Sequence, residues 1–294
     1  MGVKIQGSIV AIVTPFKDGN FDETAYRDLI EWHIQSGTDA IVPCGTTGES
    51  VTLSVDEHIR VIELCVETVA GRVPVIAGSG ANSTAEAIEL TKGAEKVGAD
   101  ASLQVSPYYN KPVQDGLYEH FKHIAESTSL PIVLYNIQSR TGVNILPETM
   151  ARLAEIENIV AVKEASGSIV QMAEIINLCG DKLDVVSGDD PMTLPLLSIG
   201  GKGVISVSAN VAPVENASMW DAWCDGKYDE TREIFYKLLP LNRALFVETN
   251  PIPVKAALHL MGKIGPEMRL PMTPLRGSNL EKLRKAMVEF GLLS

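Results

Sequence analysis

The sequence predicts a (β/α)8 barrel followed by a helical extension, and three observations carry that expectation. Eight short apolar, β-rich runs recur at intervals of roughly thirty residues, and a helix-like stretch follows each of them. The length of 294 residues suits a barrel of about 250 residues plus an addition. The runs cover residues 8–13, 39–43, 73–77, 100–105, 131–135, 158–163, 184–187 and 203–207. Most are nearly continuous Val, Ile, Ala and Leu, the pattern of parallel strands buried on both faces. Eight such strands can close as a barrel or spread as a doubly wound sheet. Periodicity does not separate the two, and strand count favours closure.

Between the runs lie amphipathic stretches with helix-start signals. Ser54 with Glu57 three residues on reads as a capping box, and Ile59, Ile62, Val66 and Val69 then keep helical spacing. Ser83 or Thr84 caps the next helix. Pro147 followed by Glu148, and Ser168 ahead of Ile169 and Met172, mark two further starts. After about residue 225 the β signal stops, and residues 228–241, 252–261 and 280–290 read as helices, joined by a turn-rich segment at 266–274. The expected division is therefore a catalytic barrel over residues 1–225 and a C-terminal helical domain over residues 226–294.

Composition narrows the function classes. With 45% hydrophobic and 21% charged residues the chain is ordinary for a globular protein, and no stretch has the apolar length of a bilayer-crossing helix. The first apolar run is too short for a signal-peptide core and meets Pro15, and Gln6 stands where a myristoylation signal needs Ser or Thr. Cys44, Cys65, Cys179 and Cys224 form no C-x-x-C pair, which suits reduced thiols in a cytoplasmic protein. A net charge of −12 repels phosphate backbones, so small molecules are expected as partners rather than nucleic acid or membrane.

In a barrel the chemistry sits at the C-terminal ends of the strands. The fifth run ends Leu134-Tyr135-Asn136 and the sixth ends Ala161-Val162-Lys163-Glu164, which sets a phenol beside an amine at the mouth. A lysine at the end of a buried strand is partly desolvated; its pKa falls, and a neutral amine attacks carbonyls. Position alone leaves open a Lys163 that snorkels to solvent beside Glu164. Gly45-Thr46-Thr47-Gly48-Glu49-Ser50, after the second run, offers backbone amides and two hydroxyls to a carboxylate or oxyanion, or is simply a tight loop. Arg140 can clamp a carboxylate through two parallel hydrogen bonds. Gly78-Ser79-Gly80 lacks the third glycine of a dinucleotide fingerprint, and Asp189-Asp190 after the seventh run argues against a phosphorylated substrate. His120 and His123 share a helix face without a third ligand and read as solvated residues, so neither a metal nor a cofactor is expected.

Taken together, these segments resemble the dihydrodipicolinate synthase family of pyruvate-dependent, class I aldolase-like lyases. The resemblance runs almost end to end. It is carried by the Gly45 to Ser50 loop, Ser106-Pro107-Tyr108-Tyr109-Asn110-Lys111-Pro112, Tyr135-Asn136 with Ser139-Arg140-Thr141-Gly142, and Val162-Lys163-Glu164-Ala165. Ser187-Gly188-Asp189-Asp190, Gly203-Val204-Ile205-Ser206-Val207 and Asn250-Pro251-Ile252-Pro253-Val254-Lys255 complete it.

The resemblance implies a Schiff base between Lys163 and pyruvate, whose enamine attacks L-aspartate 4-semialdehyde to give 4-hydroxy-tetrahydrodipicolinate on the route to lysine, without an external cofactor. It implies a proton relay of Thr46, Tyr135 and Tyr109, the last inserted from a neighbouring subunit of a homotetramer. Thr46 and Thr47 would hold the pyruvate carboxylate, Arg140 the semialdehyde carboxylate, and Gly188 and Ile205 would line the site. Ser50, His58, Asn82, Glu86 and Tyr108 match an allosteric lysine pocket, although Val55 stands where lysine-sensitive members often carry His. Gln138 replaces the family's usual Pro, which would loosen the loop bearing Arg140. Two alternatives stay open: a related pyruvate lyase acting on N-acetylneuraminate or 2-keto-3-deoxygluconate, and an inactive barrel serving as an amino-acid sensor.

Overall fold

The computed structural model describes residues 4–294. Eight parallel strands form one sheet: β1 Gly7–Ala11, β2 Ala40–Val42, β3 Ile76–Gly78, β4 Ala101–Val105, β5 Ile132–Asn136, β6 Ile159–Glu164, β7 Asp184–Ser187 and β8 Gly203–Ser206. Their order is β2-β1-β8-β7-β6-β5-β4-β3, and a parallel bridge between Ile41 and Val75 joins the two ends, closing the barrel. Closure, rather than an open sheet, is thus the outcome.

The strands alternate within an unbroken apolar composition because both faces are covered. Ile9, Val42, Ile76, Leu103, Val133, Ala161, Val186 and Ile205 pack together on the barrel axis. Their neighbours turn outward to the helices, where even Ser102 and Gln104 find partners in a buried hydroxyl network with Ser79 and Thr91. An axial layer of branched side chains is a packed core rather than a pore, so a ligand can reach only the ends.

Helices α1 Glu23–Gln35, α2 Val55–Val69, α3 Thr84–Lys96 and α4 Gln114–Glu126 alternate with the first strands. The four-residue turn α5 Gln138–Thr141 then precedes α6 Pro147–Leu153, α7 Ile169–Cys179, α8 Thr193–Ser198 and α9 Pro213–Cys224. The capping box at Ser54 and Glu57 forms, Ser83 rather than Thr84 caps α3, Ser168 caps α7, and Pro147 occupies the first turn of α6. Such caps stabilise a helix by about 1 kcal/mol each.

The extension comprises α10 Tyr228–Ala244, α11 Ile252–Leu260 and α12 Gly277–Phe290. Leu238, Leu241, Val254, Leu258, Leu283 and Met287 belong to the same apolar cluster as Val10, Ile12 and Ile62, so these helices share the barrel's outer core. Among the described residues no helix is long and apolar enough to cross a membrane.

Two elements escape the sequence pattern. Helix α9 has weak periodicity because it is wedged between β1 and α10 and buries small or polar residues such as Asn216, Ala217 and Ala222. The hairpin of Phe16–Lys17 and Asn20–Phe21 has two-residue arms, too short for any period to show. The reading of His120 is also corrected. Its ring is buried, Nδ1 lies 2.9 Å from the Thr84 hydroxyl, and burial lowers its pKa to about 4; only His123 is solvated.

Candidate active site

Register brings the two expected reactive groups together. Tyr135 and Lys163 are direct partners across β5 and β6, so their side chains leave the same side of the sheet. Lys163 is only 5% exposed, and its Nζ lies 4.3 Å from the centroid of the Tyr135 ring. Burial lowers the Lys163 pKa to about 8; Asp190 opposes the fall and Arg140 adds to it. Burial likewise raises the Tyr135 phenol to about 12, against the pull of Arg140 and a hydrogen bond with the Thr46 side chain. The phenol therefore keeps its proton near neutrality, while the amine sheds its own easily.

Snorkelling beside Glu164 is ruled out by geometry. Glu164 turns to the opposite side, where its carboxylate accepts from Asn136 Nδ2 at 3.0 Å, the Ser166 amide at 2.7 Å and Gln171 Nε2 at 3.3 Å. Asp190 is the carboxylate whose charge acts on Lys163, and its oxygens are already engaged. They accept from Ser206 Oγ at 2.5 Å, Ser208 Oγ at 3.0 Å and the amides of Val207 and Ser208. Asp189 is half-buried, and burial together with Asp190 lifts its carboxyl to about 6. Gly188 is required by contact: a Cβ there would lie 2.7 Å from the Ala165 Cβ and 3.1 Å from two carbons of the Lys163 side chain.

A cavity of about 250 Å³ opens beside Tyr135, walled in part by Thr46, Tyr135, Arg140, Tyr108, Asn250 and Leu103; Lys163 and Gly188 are not on its wall, and Lys163 sits against the Tyr135 ring. The wall is mainly apolar with a few polar groups, the usual make-up of a small-molecule site. Thr47 is buried beside it and its hydroxyl accepts from Asn250 Nδ2 at 2.9 Å. Ile205 belongs to the axial apolar layer that includes Tyr135, beneath the cavity rather than on its wall. Arg140 donates from Nη2 to the Asn250 carbonyl at 3.0 Å. In the loop that carries it, residues 138–141 wind into one helical turn closed by Gly142 N to Gln138 O at 2.9 Å. Tyr109 is set apart from the other site residues, 90% exposed on a left-handed backbone with φ of 74°.

The residues matched to a lysine pocket divide into two groups. Asn82 Nδ2 donates to the Tyr108 carbonyl at 3.2 Å, and burial together with the Glu86 charge raises the Tyr108 pKa. Ser50 and Tyr108 share the wall of the cavity just described. His58 is buried beneath, its Nε2 donating to the Gly78 carbonyl at 2.6 Å.

Sequence reasoning assigned no role to Glu49, Asn250, Lys255 and Arg269, which tie the extension to the Thr46–Thr47 loop. Lys255 and Glu49 are each 2% exposed and form an ion pair, with Lys255 Nζ at 2.5 Å from Glu49 Oε1 and 3.0 Å from the Thr14 carbonyl. A lysine among the apolar residues of the first two turns of the Ile252–Leu260 helix is the available signal.

Comparison with known proteins gives the chain's family. The family model described as the dihydrodipicolinate synthetase family matches residues 4–289. A relative from Syntrophus aciditrophicus, named 4-hydroxy-tetrahydrodipicolinate synthase, is 60% identical over 288 residues, 98% of this chain and 99% of the relative. The crystal structure of dihydrodipicolinate synthase from Aquifex aeolicus superposes with a TM-score of 0.96 at 51% identity, covering 98% of this chain and 99% of that one. A chloride-inhibited dihydrodipicolinate synthase from Acinetobacter baumannii, complexed with pyruvate, superposes at 0.97 with 48% identity over 99% of this chain and 100% of that one. With family model, sequence and fold in agreement over nearly its whole length, the chain belongs to the dihydrodipicolinate synthetase family.

Proposed function

We propose that Lys163 is the Schiff-base lysine of a 4-hydroxy-tetrahydrodipicolinate synthase, a lyase of lysine biosynthesis that joins pyruvate to L-aspartate 4-semialdehyde. The observation that carries this reading is a buried amine with no carboxylate bonded to it, 4.3 Å from the centre of a phenol ring at the barrel mouth. A second buried lysine makes the contrast. Burial lowers the pKa of both, but Lys255 is bonded to the Glu49 carboxylate, which opposes the fall, whereas no carboxylate is bonded to Lys163 and its pKa drops to about 8.

In the proposed sequence the neutral amine attacks the ketone carbon of pyruvate, and the Tyr135 phenol, linked to Thr46, protonates the departing oxygen as water leaves. Loss of a methyl proton from the iminium gives an enamine, with the imine nitrogen as electron sink. The enamine carbon bonds to the aldehyde carbon of the semialdehyde as its C=O π bond opens; the aldehyde oxygen takes a proton from the relay to become the hydroxyl, and the iminium on Lys163 is restored. The substrate's own amine then displaces Lys163, closing the ring and freeing the enzyme. Thr46 and Thr47 hold the pyruvate carboxylate, Arg140 holds that of the semialdehyde, and Gly188 leaves room for the Lys163 side chain to move between states.

Tyr109 enters this scheme from a neighbouring subunit. Its exposure in the single chain leaves its phenol free to complete a partner's relay with Thr46 and Tyr135, which makes a homotetramer built from tight dimers the proposed working form. We assign the barrel over residues 1–225 to the chemistry and residues 226–294 to its support, and place the enzyme in the cytoplasm. The Ser50, His58, Asn82, Glu86 and Tyr108 set is the proposed seat of lysine feedback.

The test is an assay coupled to a dihydrodipicolinate reductase, supplied with pyruvate and aspartate semialdehyde. Turnover, abolished by Lys163→Ala, is expected. Cleavage of a sugar acid without semialdehyde condensation would move the reading to the related lyases, and lysine binding with no turnover would move it to a sensor.

A further inference from the structure

The Thr46–Thr47 loop is held from behind by charges that belong to the C-terminal extension, and this arrangement rests on a chain of short contacts. Lys255 on α11 donates both to Glu49 Oε1 and to the Thr14 carbonyl. The Thr14 hydroxyl donates in turn to the Gly48 carbonyl at 2.7 Å. The second Glu49 oxygen accepts the Arg269 amide at 3.1 Å, while the Arg269 guanidinium binds Glu57 at the start of α2 and the Thr52 carbonyl at 3.1 Å. The rings and charges stack as well: Lys255 Nζ and the Arg269 guanidinium carbon each lie 4.4 Å from the centroid of Phe16.

Glu49 itself adopts φ of 55°, a left-handed backbone that a β-carbon disfavours. A non-glycine residue persists there only where its surroundings over-determine it. Its amide closes the turn onto the Thr46 carbonyl at 3.1 Å, and Gly48 N closes onto Gly45 O at 3.1 Å. The conformation of Glu49 and the placement of Thr46 are thus one geometric unit. A buried ion pair contributes little net stability compared with apolar residues of the same volume, yet it holds a defined geometry.

We propose that the buried Glu49–Lys255 pair, braced by Arg269, is the positioning element that presents Thr46 and Thr47 to the pyruvate carboxylate, so that the C-terminal helices set first-substrate affinity by holding Glu49 on the cavity wall. The proposal rests on the pyruvate-binding role given to Thr46 and Thr47 above. It assigns Glu49 and Lys255 no contact with substrate. Arg140 approaches from α5 and donates to the Asn250 carbonyl, while the Asn250 side chain donates to Thr47; neither contact runs through Glu49 or Lys255, so the semialdehyde site is expected to change less than the pyruvate site.

The test compares wild type with Glu49→Gln, which is nearly isosteric, and with the double variant Glu49→Gln/Lys255→Met, which removes both buried charges together. Circular dichroism and thermal melting report folding, and steady-state kinetics report KM for each substrate and kcat. Borohydride trapping with pyruvate reports the rate of imine formation on Lys163. In the folded variants the pyruvate KM is expected to rise roughly tenfold or more and trapping at low pyruvate to slow in parallel, with the semialdehyde KM within about twofold of wild type. A folded variant of either kind whose pyruvate KM and trapping rate match wild type overturns the proposal. Equal increases in both KM values overturn it too, since they mark a general loosening. Failure of wild type to form any Lys163 adduct overturns the underlying assignment, and the proposal with it; an adduct in wild type that forms equally fast in the variants overturns the proposal alone.

Discussion

The electrostatic state of Lys163 can be followed by changing pH alone. With its pKa lowered to about 8, roughly a tenth of the amine is neutral at pH 7, against about three parts in ten thousand for a lysine near 10.5. Burial thus multiplies the reactive form by roughly 300, equivalent to about 3 kcal/mol of driving force for nucleophilic attack. The sign follows from deprotonation making the nucleophile. At pyruvate well below saturation, imine formation should rise about tenfold per pH step between 6 and 7, bend near 8 and level off above it. Cyanoborohydride trapping, with mass spectrometry of the Lys163 peptide at each pH, measures this directly. A profile that keeps climbing past pH 10 would mean an amine that behaves as though hydrated, and the argument from burial would be wrong.

Further outcomes follow from the same geometry. Below pH 8 Lys163 is protonated in both folded and unfolded chains and its burial penalty is complete; between about 8 and 10.5 the folded chain loses the proton first and the penalty fades. Lys163→Met should therefore stabilise the protein by up to about 3 kcal/mol at pH 7, an advantage that shrinks as pH rises through that window, as checked by urea unfolding at fixed protein concentration. Gly188→Ala pushes the Lys163 side chain from its place and should lower kcat/KM by about 10- to 100-fold with an unchanged circular dichroism spectrum. Tyr135→Phe should lower kcat by about 100-fold or more, as expected for loss of a proton donor. Tyr109→Phe should lower kcat while sedimentation still shows the wild-type assembly; unchanged kcat would remove Tyr109 from the relay.

Much of this molecule is legible in its sequence. Eight apolar runs with helices between them already specify alternation, because a strand buried on both faces has no polar period to hide. The residue ending each run is placed at the mouth by topology, so Lys163 and Tyr135 could be named from position, and their shared register follows from strand pairing. Helix α9 and the hairpin at residues 16–21 were not legible: one is buried on several sides and the other is too short to show a period. His120 was misread because helical spacing says which face a residue shares, not whether that face meets solvent.

Local pattern, then, determined the order of the elements and the side chains that reach the C-terminal rim. Tertiary structure alone decided which way each of them turns. Glu164 and Lys163 are adjacent in the chain, yet one is locked to Asn136 and Gln171 while the other is left unpaired beside a phenol. Lys255 and Glu49 lie 206 residues apart and meet in a site with 2% exposure. Desolvation and pairing depend on distance through space, and a one-dimensional pattern carries no measure of that distance.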